Sequence, residues 1–111
     1  MINLCIYHVI EGQESEFRAL LEKHWPTMHA AGLATDNPSR CYLGQEPKDA
    51  GGGPVFYELF EWSDPEGPRR AHELPEVMAV WEPMGALCEA RGGRPPMEFP
   101  HVEPLAMTYE R

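Results

Sequence analysis

Glu58, Trp62 and His72 are the side chains of this sequence best suited to chemistry, and they fall close together along it. Imidazole titrates near neutral pH and ligates metals in its neutral form, so His72 can serve as a general base or an axial ligand, or can simply close a helix end. Glu58 lies in the run Val55-Phe56-Tyr57-Glu58-Leu59-Phe60-Glu61-Trp62, whose alternate residues share a face if it is a strand. Phe56, Phe60 and Trp62 then surround it. Desolvation there raises a carboxyl pKa unless a cation such as Arg40 pairs with it, so Glu58 is either a general base or half of a buried structural pair, with the pair favoured. Tyr7 can donate a hydrogen bond to a ligand oxygen or anchor an interface, and Asn3 shares its face. Trp62 can stack on a flat ligand, whereas Trp81 reads as core packing. His101 and Glu103 project together from one strand, yet no third ligand has a convincing spacing, so a solvated rim pair is expected rather than a metal site. His24 and His29 are separated by Pro26 on a helix and receive no role.

Composition narrows the partners. A chain of 111 residues forms one domain, 1–111, with a single modest core. A formal charge of -9 argues against nucleic acid and anionic membrane surfaces. No apolar run reaches the ~20 residues that cross a bilayer, and Met1 leads straight into a strand pattern without a signal-peptide layout, so a cytoplasmic protein is expected. Cys5, Cys41 and Cys88 are far apart and lack C-x-x-C spacing, which predicts buried reduced thiols.

The elements that must position these residues follow from periodicity. Ile2 to Val9 predicts a strand with Ile2, Leu4, Ile6 and His8 on one face and Asn3, Cys5, Tyr7 and Val9 on the other. The aliphatic face is expected against the helices. Phe17, Leu20, Leu21, His24 and Met28 recur at helical spacing from Gln13 to Ala31, with a kink or break at Pro26. Arg40 to Gly44 is a short strand, and the charged, glycine-rich stretch from Glu46 to Gly53 reads as a mobile hairpin loop. The aromatic strand follows. Ser63 and Glu66 resemble a capping box that starts a helix, which Pro68 and Pro75 divide; its second part runs to about Ala90 with a kink at Pro83. After a linker at Arg91 to Pro96, a last strand from Met97 to Tyr109 carries Pro100 and Pro104, which confine it to an edge.

Strand, helix, two strands, broken helix and strand make a ferredoxin-like α+β arrangement: a four-stranded antiparallel sheet with helices on one face. The aromatic strand is mostly apolar on both faces, so its second face needs a cover that one chain this short does not supply. A homodimer is expected.

The Gly12 turn followed by Glu16-Phe17, the aromatic strand ending Glu61-Trp62, and Ala71-His72 before an apolar helix resemble the dimeric α/β-barrel superfamily, and within it domains of the antibiotic biosynthesis monooxygenase type. The resemblance spans about residues 2–90. It implies two sheets packed face to face around a pocket, and cofactor-independent oxygenation of small phenol-, quinol- or anthrone-like compounds. In that chemistry His72 or Glu58 is the base, while Tyr7 and Trp62 stabilise oxyanion charge and Asn3, Phe56 and Phe60 complete the substrate site. Haem degraders of the superfamily share a Trp and a His with the spacing of Trp62 and His72, but carry an asparagine where this chain has Cys5. Haem therefore stands as the alternative ligand, beside a non-catalytic binding protein and a dimer with no ligand.

Overall fold

A computed structural model describes residues 1–110 as an α+β unit with a five-stranded antiparallel sheet and three helices. The elements are β1 (Ile2–His8), α1 (Glu14–Ala30), β2 (Arg40–Gln45), β3 (Pro54–Glu61), α2 (Gly67–Ala71), α3 (Pro75–Ala86), β4 (Met97–Glu98) and β5 (His101–Val102). The strands run in the order β2-β3-β1-β4, with β5 also on β1. That order is compatible with a ferredoxin-like fold. Among the described residues no helix is long and apolar enough to cross a membrane.

β1 and β3 pair along their length, from Ile2 opposite Glu61 to His8 opposite Val55. This register sets the faces. Asn3, Cys5 and Tyr7 lie opposite Phe60, Glu58 and Phe56, and residues directly opposed across a ladder share a side. The aromatics of β3 carry more apolar area than the aliphatics of β1, so the helices cover their side. Cys5, Tyr7 and Val9 therefore enter the core with Phe17 and Met28 of α1 and Val77 and Met84 of α3. The expected orientation of β1 is reversed. Ile2 and Leu4, with Tyr57 and Leu59 of β3, lie half-buried on the sheet's other face.

α1 buries Phe17, Leu21, His24 and Met28 and passes through Pro26 without ending. One missing donor does not outweigh that face. The capping box at Ser63 does not form. The Ser63 hydroxyl donates instead to the Gly32 carbonyl at 2.7 Å, and α2 begins later, at Gly67. The stretch from Glu46 is anchored rather than loose, because buried Glu46 accepts from His8 Nδ1 at 2.6 Å and from Arg91 at 3.2 Å.

The last strand is shorter than expected and divided at Pro100. The backbone N–H groups of Leu4 and His8 donate to the carbonyls of Pro100 and Pro96, at 2.9 and 3.0 Å. Proline accepts but cannot return the bond, so pairing is one-sided at both points. Residues 103–110 form no strand, and Leu105, Met107 and Tyr109 among them are exposed.

Gly67 brings α2 onto β3. A Cβ there would lie 2.5 Å from Cε3 of Trp62. Gly67→Ala is expected to displace the indole and lower stability by about 1–3 kcal/mol in a denaturant titration. An unchanged midpoint with unchanged tryptophan emission would show that the approach is not tight.

Candidate functional site

Between sheet and helices lies a cavity of about 320 Å³, at the lower end of the ~300–1,000 Å³ typical of small-molecule sites. Its floor is Asn3, Cys5 and Tyr7 of β1 with Phe60 and the adjoining Trp62. His24 of α1, Trp81 and Met84 of α3, and Pro68 and His72 form the helical side. Met97, Phe99 and His101 close the remaining wall. The lining is aromatic and sulfur-rich, and no lysine or arginine belongs to it.

Two hydrogen-bond chains hold the floor. In one, the Trp62 indole N–H donates to Asn3 Oδ1 at 2.7 Å, and Asn3 Nδ2 donates to the Phe99 carbonyl at 2.8 Å. In the other, the Tyr7 hydroxyl donates to Glu58 Oε1 at 2.7 Å, and His24 Nδ1 lies 3.0 Å from both Glu58 oxygens. The Trp81 indole N–H meets His24 Nε2 at 2.9 Å. An indole nitrogen only donates, so Nε2 must accept and the imidazole proton sits on Nδ1, facing the carboxylate. Trp81 thus fixes the tautomer that suits Glu58.

Glu58 is fully buried and does not line the cavity. Burial pushes its carboxyl pKa up, but the hydrogen bonds from His24 and Tyr7 outweigh that and hold it below its ordinary value. Burial, then the Glu58 charge, pushes the Tyr7 hydroxyl well above its own. At neutral pH the proton stays on Tyr7 and Glu58 is an anion. The sequence left Glu58 open as base or structural partner; the structure pairs it, with His24 and Tyr7 in place of the exposed Arg40.

His72 caps the C-terminal end of α2, is exposed, and meets the Trp81 ring edge-on with centroids 5.1 Å apart. Among the described residues neither its ring nor that of His101 makes a hydrogen bond. Phe60 stacks on His24 at 5.4 Å and meets Trp62 edge-on at 4.9 Å. Phe56 lies away from this cavity, against Phe17 at 5.0 Å, and lines a separate groove with Trp25 and Leu43. The structure thus brings Asn3, Tyr7, Phe60, Trp62 and His72 together, with Glu58 behind them and Phe56 elsewhere. His24, Trp81 and His101 line the cavity without having been assigned to it. The helical spacing already placed His24 on the buried face of α1, which was the available signal.

Cys5 and Cys88 are buried as expected, while Cys41 on β2 is exposed. Burial pushes the Cys88 thiol to about 12 and raises Cys5 further, so neither is an activated nucleophile. Among the described residues no group of three or more His, Cys, Asp or Glu side chains is placed to hold a metal ion. No family model matches the chain, and no curated protein does.

Glu58 predicts a specific acid response. Its pKa is lower folded than unfolded, so its contribution is complete above the ordinary value of 4.5 and is lost as pH falls through the folded value. Glu58→Ala should cost about 3–5 kcal/mol at neutral pH, chiefly by stranding Tyr7 and His24. Relative to wild type, Glu58→Gln should flatten the loss of stability below that pH. Glu46, Glu61 and Glu98, whose pKa values are also lowered, contribute to the acid loss that remains. Parallel curves for wild type and Glu58→Gln in urea melts across this range would refute the assignment.

Proposed function

We propose that the protein is a homodimeric, cofactor-independent monooxygenase of small aromatic hydroxyl compounds, built as a dimeric α/β barrel on a ferredoxin-like sheet. One observation carries this most directly: a partly open aromatic cavity is lined by His72, whose imidazole makes no hydrogen bond among the described residues. The cavity's size suits two or three fused rings better than a macrocycle, although a histidine such as His72 can also ligate haem.

An anthrone-like substrate illustrates the chemistry. His72 takes a proton from the acidic hydroxyl of the enol form, and the aromatic walls keep the electron-rich anion dry. The anion passes one electron to dioxygen, the radical pair joins through a C–O bond at the ring carbon opposite that hydroxyl, and the imidazolium gives its proton back by way of water to complete the hydroperoxide. Loss of the remaining C–H proton breaks the O–O bond and expels hydroxide. The methylene becomes a carbonyl and one water leaves. One dioxygen thus supplies the four oxidising equivalents, and no outside reductant is needed. Glu58 serves by holding Tyr7 and His24 in place.

A second function is supported by the donor protons of Tyr7 and Trp62, both already bonded within the protein. A protein that holds an aromatic ligand without converting it needs no free buried donor for an oxyanion. For the dimer, the support is the half-buried apolar face of Ile2, Leu4, Tyr57 and Leu59, which a second copy would cover.

Metal-free protein should consume oxygen on adding anthrone or 1,4-dihydroxynaphthalene, and His72→Ala should reduce that rate by about 100-fold. Ligand binding without oxygen uptake would select the non-catalytic function. Sedimentation at micromolar concentration should give twice the 12.6 kDa chain mass; a stable monomer would remove the barrel.

A further inference from the structure

We infer that the cavity takes its ligand ring-first, leaving an acidic aryl hydroxyl at the opening between His72 and His101. This rests on the cavity's being a ligand site, and it adds His101 as a second binding residue. The inner polar groups are already engaged. Trp62 N–H goes to Asn3, Trp81 N–H to His24, His24 N–H and Tyr7 O–H to Glu58, and one Asn3 amide hydrogen to Phe99. A polar substituent pushed inward would find only the second Asn3 amide hydrogen and the weakly bonding Cys5 thiol uncommitted, or would have to displace one of these bonds. A bare ring system displaces none.

The opening is different. His72 and His101 line the cavity, are exposed, and have both ring nitrogens free among the described residues. They come from separate elements, His72 from the end of α2 and His101 from β5. The placement of His101 is built rather than incidental. It lies opposite Asn3 in the β1–β5 ladder, so it shares the cavity side of the sheet, and the Asn3 amide fastens the same segment through the Phe99 carbonyl.

Two imidazoles without a guanidinium select among polar groups. A carboxylate is best held by a permanent, forked cation, and none lines this cavity. A hydroxyl can donate to one imidazole, accept from the other and share its proton with either.

The test is tryptophan quenching by 2-naphthol, 2-methoxynaphthalene and 2-naphthoate, with wild type, His101→Ala, His72→Ala and the double variant. Both side chains are exposed, so the variants should fold, and circular dichroism checks this. Wild type should bind 2-naphthol about tenfold more tightly than its methyl ether, the scale of one well-placed hydrogen bond. Each single change should narrow that ratio and the double variant abolish it. Equal affinities in wild type, a ratio that survives in the double variant, tightest binding of 2-naphthoate, or no binding would each overturn the inference. Hydroxyl preference without oxygen uptake would sink the oxygenation alone. Oxygen uptake with an unchanged KM in His101→Ala would sink the orientation alone.

Discussion

A carboxylate fixed inside an oily layer is the constraint that the rest of this structure satisfies. The β1–β3 register places Glu58 opposite Cys5, on the face that the helices cover, where water cannot solvate the charge. An anion there needs donors from the protein. Tyr7 reaches it from the neighbouring strand and His24 from α1, and Trp81 of α3 orients His24. A single buried charge thereby ties the sheet to both long helices and defines how they approach. Displacing any of the four leaves another without its partner.

The same arrangement explains the polarity of the cavity. Because the inner polar groups serve one another, the space they enclose presents mainly ring faces and methionine sulfur. Hydrogen-bonding capacity is left at the rim, where water competes for it. Such a space suits flat, oily molecules better than charged ones.

Much of the fold was legible because periodicity reports burial. β1, β2, β3 and α1 fall within a residue or two of their expected limits. What escaped depended on comparisons between strands. The face of β1 turned on the greater apolar area of β3, and the partner of Glu58 came from a helix, not from Arg40 on the adjacent strand. The last strand was overextended because alternation from Phe99 to Tyr109 persists where pairing does not. Asn3, Tyr7, Phe60, Trp62 and His72 line one cavity, and strand alternation and the position after the aromatic strand had already placed them near one another. Phe56 shares their alternation but packs against Phe17 and lines the other groove. His24 was legible as buried but not as hydrogen-bonded, since a tautomer depends on a partner far away in sequence. His101 needed the register against Asn3, which Pro100 obscured.

The one-sided pairing at Pro96 and Pro100 bears on traffic through the cavity. Met97, Phe99 and His101 belong to a wall stitched to β1 by fewer bonds than β3 is, so it lies at the low end of the molecule's spread of local stabilities. Brief detachment of that wall exposes the interior without disturbing the Glu58 assembly. Exchange between the cavity and solvent then follows the breathing of this flank, and amide exchange there reports the clock.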